Sequence, residues 1–475
     1  MRTSKLGQLL LTFNNSDWKR FIEFIDSPYF NRNDEVIALG YFLFNLYPDF
    51  EMSKEEVFQR CYPEQPFDGQ RMGYLMNYLL KLAEQFLAVE RFCKDEFQSS
   101  RFTLLELSEK KLQKHYEFLK RKVGKALDEK MYSSKLAMQR FQFAEIEMIH
   151  FSNQKVRRFD PSMQQVYDEL NNYYYLQILK YACALLSWEL VVKGNFKVSA
   201  ITDSMANALI EDPPSLPIIR IFLSIYKTIR THGADGENYF DDLLGFIDKY
   251  EPKIHKDEIP EIYTYAINFG VRKIRSGRDE YTLKVLDLYR RAIDKRYLFN
   301  GGYLSHWTYT NVVKLALLQN RYEWTEAFIH DYKEYLAPKF YEDAFHFNLA
   351  DLYFSRTRYN EVLDQLQHLS FSDPYYNLGS RMILIKTFYE LDQMESVLSY
   401  LASFTKFLQR NKGLSNTYQQ TCLNFCKLLH QILKVNSEQK KDKLIREVEQ
   451  TKPLAERNWL LSTLKAQKIN PVSKY

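Results

Sequence analysis

Residues 345–374 read FHFNLADLYFSRTRYNEVLDQLQHLSFSDP and carry the pattern that decides the fold. Apolar residues lie three or four positions apart from Phe345 to Tyr353, and again from Val362 to Leu369. This spacing places one apolar stripe on each of two helices. The polar residues 355–357 predict a turn between them. The stretch therefore predicts a helical hairpin.

The same pattern recurs on both sides of this stretch. The preceding unit has apolar residues within 315–318 and 324–328, and the following unit has them within 384–388 and 397–404. Ala327, Val362 and Val397 align at the entry to the second helix of each unit, in steps of 35 residues. A hairpin buries its outer faces only when a neighbour stacks on it, so we expect an array of hairpins.

The repeated hairpin resembles the tetratricopeptide repeat, which has a period of about 34 residues. The residues at the family's Leu-small pair, Tyr, Ala, Phe, Ala and Pro positions are Leu349-Ala350, Tyr353, Val362, Leu366, Leu369 and Pro374. The sequence departs from the family because valine replaces the small Ala and the repeat Trp is missing. The resemblance implies a superhelix of hairpins, and an irregular helical array is the alternative.

Composition agrees with an all-α fold. The 475 residues are 45% hydrophobic and 16% aromatic, with 15 Gly and 14 Pro spread along the chain, and no run of alternating strands stands out. We predict a tetratricopeptide-like helical-hairpin repeat array with an N-terminal helical cap. The predicted segments are a cap at 1–98, connecting basic helices at 99–160, degenerate helical repeats at 161–300, tetratricopeptide-like repeats at 301–435 and capping helices at 436–475.

Local signals predict several boundaries. Ser16 is expected to cap a helix that starts at residue 17, and Ser53 with Glu56 forms a capping box for another. Two long helices are expected at 104–129 and 132–152. Gly301-Gly302 is expected to be the most flexible point of the array.

Cysteine usage and hydropathy predict a cytoplasmic protein without a membrane span. Five cysteines, odd in number and scattered, favour a reducing compartment. No apolar run approaches the roughly 20 residues that a spanning helix needs. The net charge of +5 is mild for this length and does not by itself indicate nucleic acid.

The beginning of the chain resembles an uncharacterised family of bacterial helical proteins. The residues that carry this resemblance are the run from Phe24 that ends Ser27-Pro28-Tyr29-Phe30-Asn31, then Phe58, Tyr62-Pro63, Leu75, Leu79, Leu82 and Phe86-Leu87. The family carries no known activity, so the resemblance implies no chemistry.

Nucleic-acid binding is the alternative function. Residues 101–160 hold 14 Lys/Arg against 8 Asp/Glu, a net charge of +6, with the cations clustered between Lys110 and Lys130. Interleaved acids at helical pairing distance favour an ordinary solvated surface instead. Helices at 53–61 and 68–90 could form a helix-turn-helix. However, residues 1–98 hold 11 Lys/Arg against 15 Asp/Glu, a net charge of −4, which disfavours binding to phosphates.

Motifs for catalysis, cofactors and metals are not found in the sequence. We therefore expect no enzymatic activity, no cofactor and no metal. Cys422, Cys426 and His430 share one helix face. Each helical turn rises about 5.4 Å, so the outer two cannot both reach one ion at bonds of about 2 Å.

The resemblance to tetratricopeptide repeats implies a partner-binding groove on the first helices of the units. Carried over by the 35-residue alignment, its residues are Tyr309, Val312, Gln319, Phe347, Asp351, Phe354, Met382, Lys386 and Tyr389. Phe347 and Asp351 stand where the family has its Lys/Asn carboxylate clamp, so no clamp is expected. We predict a non-enzymatic scaffold that binds a protein or peptide. Alternatively, these residues pack against the N-terminal half.

Overall fold

The computed structural model describes residues 1–189, 196–231, 234–367, 369, 371–410 and 416–467. The chain is predominantly helical, with 77% helix and almost no strand, which confirms the predicted helical class. It divides into two compact units, Met1–Ile178 and Leu179–Tyr475. The five finer segments expected from the sequence remain predictions.

The first unit contains eight helices and most of a ninth. They are α1 Lys5–Leu10, α2 Asn15–Asp26, α3 Asp34–Leu46, α4 Lys54–Cys61, α5 Gly69–Lys94, α6 Glu96–Glu109, α7 Gln113–Asp128, α8 Ser134–Asn153 and α9 Ser162–Glu189. An aromatic core joins the N-terminal helices: the ring of Phe13 lies 5.7 Å from Trp18, 5.5 Å from Phe21 and 5.6 Å from Phe86. Trp18 and Phe21 are fully buried, so α2 is anchored by its apolar face.

Helix caps explain two of the N-terminal boundaries. The predicted capping box of Ser53 and Glu56 is confirmed at the start of α4. The prediction for Ser16 is wrong by two residues, because Asn14 caps α2 and forms a capping box with Asp17. Asparagine and serine are both good N-caps, so propensity alone does not choose between them.

The long helix predicted at 104–129 is interrupted. Helix α6 ends at Glu109 and α7 begins at Gln113, with Lys111 in the left-handed conformation at φ 56°. The backbone N–H of Leu112 donates to the carbonyl of Leu107 at 2.9 Å, which closes the helix end. The left-handed position of such a closure is usually glycine, so a lysine there does not indicate a helix end.

The second unit continues with helices of 8 to 17 residues. They are α10 Ala200–Glu211, α11 Pro217–Arg230, α12 Ala234–Tyr250, α13 Ile259–Arg275, α14 Tyr281–Asp294, α15 His306–Leu318, α16 Tyr322–Tyr332, α17 Tyr341–Ser355, α18 Tyr359–Leu366, α19 Pro374–Glu390, α20 Met394–Arg410, α21 Asn416–Ile432, α22 Glu438–Gln450 and α23 Arg457–Ala466. Gly301 and Gly302 form the turn between strands β1 Phe299–Asn300 and β2 Tyr303–Leu304, with φ of 57° and 85°. Their expected flexibility stays a prediction.

Three helix pairs carry the pattern seen in the sequence: α15 with α16, α17 with α18, and α19 with α20. Each pair turns at a left-handed residue other than glycine, namely Asn320, Thr357 and Asp392. The first helices also contact one another, since α17 packs against both α15 and α19. The pairs therefore lie side by side in chain order.

The spacing of the three turns corrects the alignment made from the sequence. Asn320 and Thr357 lie 37 residues apart, whereas Thr357 and Asp392 lie 35 apart. Thr325, which is fully buried like Val362 and Val397, therefore takes their place in the first pair, and Ala327 is exposed. The extra length lies in α16 and in the 3-10 turns that follow it.

The cysteine–histidine face of α21 is split between core and surface. Cys422 and Cys426 are buried while His430 is exposed, and burial raises the pKa of the two thiols to about 11 and about 12. Among the described residues no group of three His, Cys, Asp or Glu side chains could hold a metal ion. The same residues include no helix with the length and apolar character to cross a membrane.

Candidate functional site

A cavity of about 430 Å³ opens between the first helices of the three pairs and the segment that leads into α23. We call it the inner cavity. It is lined by Lys314, Leu317, Leu318, Phe347, Asp351, Phe354, Ser355, Tyr375, Gly379, Met382, Ile383, Lys386, Tyr418, Glu456, Asn458 and Trp459. Its walls combine aromatic rings with two lysines and two carboxylates, which suits a ligand with apolar and charged parts.

Five of the nine predicted groove residues line the inner cavity: Phe347, Asp351, Phe354, Met382 and Lys386. A sixth, Tyr389, lies beside it and contacts Trp459 through ring centroids 5.4 Å apart. Whether any of these residues binds a partner remains a prediction.

The three residues predicted from the first pair do not line the inner cavity. Tyr309 and Val312 are fully buried, and the hydroxyl of Tyr309 donates to the carbonyl of Ile329 at 2.7 Å. Gln319 lies at the end of α15, next to the turn. The alignment was wrong for this pair because its turn lies 37 residues before the next one, not 35. Counting 37 residues back from Asp351 gives Lys314, which does line the cavity.

Sequence reasoning missed several residues of the inner cavity. Lys314 and Leu317 would have been found by counting from the turn residues rather than by a fixed period. Tyr418 and Glu456 come from other elements, and Tyr375 lies at the start of α19; the three carry no shared sequence signal.

The best-defined contact in the inner cavity is the ion pair between Lys386 and Glu456. Their side-chain nitrogen and oxygen lie 2.7 Å apart, with 6% and 33% of the two side chains exposed. The ammonium of Lys386 also lies 4.3 Å from the ring centroid of Phe354. Glu456 adopts a left-handed backbone at φ 53°, which is uncommon for a residue other than glycine. The start of α23 is thus fixed to α19.

The two carboxylates of the inner cavity differ in electrostatics. Burial raises the pKa of Asp351 above its ordinary value, although Lys314 and Lys386 act in the opposite direction. For Glu456, burial also disfavours the charged form, but the interactions with Lys386 and Lys314 outweigh it and lower the pKa. The interactions with the two lysines therefore outweigh burial for Glu456 but not for Asp351.

Lys314 is the exposed cation of the inner cavity. Its ammonium donates to the hydroxyl of Tyr375 at 3.0 Å and lies 5.8 Å from the ring centroid of Phe347. Desolvation disfavours the charge, yet Tyr375, Asp351 and Glu456 together raise the pKa of Lys314 above its ordinary value. Lys314 stays charged and accessible to an incoming acceptor.

Trp459 of α23 covers one end of the inner cavity. Its indole N–H donates to the carboxylate of Glu390 at 2.8 Å, and its ring meets that of Tyr389 edge to face. The C-terminal segment therefore packs against part of the predicted groove.

The basic cluster between Lys110 and Lys130 is the other region that the sequence singled out. Lys110 pairs with Glu106 at 2.7 Å, and Lys120 pairs with Glu147 at 2.5 Å. The remaining cations of the cluster include Lys111, Lys114 and Lys122, which are exposed. The cluster thus mixes paired and solvated charges.

Comparison of the chain with protein-family models, with curated proteins and with solved structures finds no match.

Proposed function

We propose that this chain is a non-enzymatic helical-repeat scaffold whose inner cavity binds a peptide segment of a protein partner. In this proposal the pairs α15/α16, α17/α18 and α19/α20 are tetratricopeptide-like repeats of one superhelix. Their steps of 37 and 35 residues are close to the roughly 34 residues of that repeat. The packing of α17 against α15 and α19 supports the same arrangement.

The observation that carries the proposal is the way the inner cavity holds a segment of its own chain. A carboxylate from Glu456 sits on Lys386 at 2.7 Å, and the Trp459 ring lies against Tyr389. Acidic and aromatic side chains on one short segment are what a partner peptide would present. The cavity remains open beside this segment, with a volume of about 430 Å³.

Lys314 gives the open part of the inner cavity a preference for peptides with an acidic side chain. The lysine is exposed and lies against the rings of Phe347 and Tyr375. An acidic side chain of the partner would pair with its ammonium, while an apolar side chain would pack on the two rings. Such a combination of an apolar anchor and one charge is common in peptide recognition.

The test is a selection of peptides from a random display library on the full chain. Affinities of selected peptides are then measured for the wild type, for Lys314→Glu, and for Lys253→Glu as an exposed control with the same charge change. We expect acidic and aromatic residues to be enriched. Lys314→Glu should weaken binding at least about tenfold, as loss of a central contact does.

The control should bind as the wild type does, and circular dichroism should show the same helix content for all three proteins. The proposal fails if no peptide is enriched, or if the two charge reversals weaken binding equally.

A further inference from the structure

A second concave surface lies on the opposite side of α19, between this helix and α20. We call it the outer groove. It has a volume of about 590 Å³ and is lined by Arg381, Ser399, Ala402, Ser403, Lys406, Phe407 and Arg410. Three of these seven residues are cationic and two carry hydroxyl groups, so the groove offers donors for hydrogen bonds and positive charge.

The cations that line the outer groove have no carboxylate partner among its lining residues. No Asp or Glu is among the residues that line it. Within the part of the chain that the structure describes, Arg381, Lys406 and Arg410 form no ion pair. Lys386, on the other side of the same helix, does have an acidic neighbour in Glu456. The outer groove therefore carries positive charge that no acidic side chain of its lining balances.

Arg381 is held in place as a binding group would be. Its Nε donates to the side-chain oxygen of Asn377 at 2.9 Å, and its guanidinium carbon lies 4.5 Å from the ring centroid of Phe407. The side chain is half-buried, and this desolvation lowers the pKa of its guanidinium. The ring contact and the hydrogen bond hold the guanidinium in place, and its terminal nitrogens have no charged acceptor among the described residues.

The other two cations line the same groove from α20. Lys406 and Arg410 lie four residues apart on α20, so they share one face at a spacing of about 5–6 Å. Phe407, on which Arg381 stacks, lies between them in sequence. Ser403 is one helical turn before Phe407. The three cations and this hydroxyl thus line the same groove.

We propose that the outer groove binds a doubly charged oxyanion, in the form of phosphate or a phosphate monoester. Arginine presents planar N–H groups that match the oxygens of a phosphate, and hydrogen bonds to a charged group are about twice as strong as neutral ones. The three cations that line the groove exceed the two charges of the anion, and the serine hydroxyl supplies a neutral donor. The proposal concerns a site separate from the inner cavity and does not depend on peptide binding there.

The test is isothermal titration of the full chain with inorganic phosphate, phosphoserine and adenosine monophosphate, at a constant ionic strength of about 0.15 M. The variant is Lys406→Gln/Arg410→Gln, since both side chains are exposed and their loss should not unfold α20. The control is Lys253→Gln/Lys256→Gln, which removes two exposed lysines elsewhere in the same unit.

We expect saturable binding of at least one of these dianions to the wild type and to the control, and at least about tenfold weaker binding to the variant. Similar affinities for the three probes would identify free phosphate as sufficient. A preference for phosphoserine or the nucleotide would identify the ester that supplies the group. The proposal is overturned if no probe binds, or if the variant binds as tightly as the control.

Discussion

The two sides of helix α19 carry cations in opposite situations. On one side Lys386 is buried in the inner cavity, pairs with Glu456 at 2.7 Å and lies near Asp351. On the other side Arg381 is half-buried in the outer groove, where an aromatic ring and an amide are its partners. The buried cation of the first side has a carboxylate partner, whereas the cations of the second side have none among the residues that line the groove.

This difference shows that a cation must be interpreted together with its neighbours. A buried charge with a partner contributes to the fold, because its removal leaves the partner desolvated and unpaired. An unpaired charge at a surface groove contributes little to the fold and is available for a ligand. The two sides should therefore respond differently to the same kind of substitution.

The largest effect is expected on the inner side. Lys386→Met keeps the aliphatic volume but leaves Glu456 without its ion pair. Breaking a buried pair costs about 3–5 kcal/mol. Because 33% of the Glu456 side chain remains exposed, we expect a smaller loss, about 2 kcal/mol. Urea denaturation followed by tryptophan fluorescence measures it.

Lys386→Arg is the matched control, since it keeps the charge and should retain most of the stability. If Lys386→Met lowered stability by no more than a typical surface substitution, about 0.5 kcal/mol, the inner side would not be the structural side of the comparison.

The two carboxylates of the inner cavity should respond differently when each is replaced by its amide. At pH 7 we expect Glu456→Gln to destabilise the protein by about 1–2 kcal/mol, as loss of a charged hydrogen bond does. Asp351→Asn should not destabilise it, because burial makes the charged form of Asp351 unfavourable. Urea denaturation of both variants distinguishes the two carboxylates, and equal losses would contradict the assignment.

The pH dependence of stability follows from the pKa shifts of Glu456 and Asp351. Folding lowers the pKa of Glu456 below 4.5, so its contribution is complete above pH 4.5 and is lost as the pH falls through the lower folded value. Folding raises the pKa of Asp351 above 3.8, so its unfavourable charge disappears as the pH falls through that raised value. The stability difference between Glu456→Gln and wild type should therefore shrink in acid.

The smallest effect is expected on the outer side without ligand. Lys406 and Arg410 are like charges four residues apart on one helix, which destabilises a helix by about 0.2–0.5 kcal/mol. Lys406→Gln should therefore raise the free energy of unfolding by about 0.2–0.5 kcal/mol, and Lys253→Gln should leave it unchanged. Added salt should reduce the gain by screening the repulsion. A clear loss of stability would mean that Lys406 has a structural partner.

The sequence predicted the helical class and the three helix pairs, because apolar periodicity directly reflects the buried faces. It also predicted the turn at 355–357, since α17 ends at Ser355 and Thr357 is left-handed. It did not predict the end of α6, which is closed by the left-handed residue Lys111. Glycine is the usual signal for that conformation, and its absence hides this boundary.

The inner cavity was predicted in part for a related reason. Phe347, Asp351, Phe354, Met382 and Lys386 were identified because the last two pairs keep a 35-residue step. The residues of the first pair were misaligned because the connection after α16 is longer. Its 3-10 turns have no apolar periodicity from which their length could be predicted. Glu456 and Trp459 reach the cavity only through tertiary packing, which a local pattern does not encode.

The distribution of thiols makes this chain convenient for spectroscopy. Burial raises the pKa of Cys183, Cys422 and Cys426, and it does so more weakly for the partly buried Cys61. Thiolates are the reactive form, so these four should react slowly with maleimides. Cys93, near the end of α5, is exposed. A dye or spin label should therefore attach there first, and give a reporter in the first unit without any engineered cysteine.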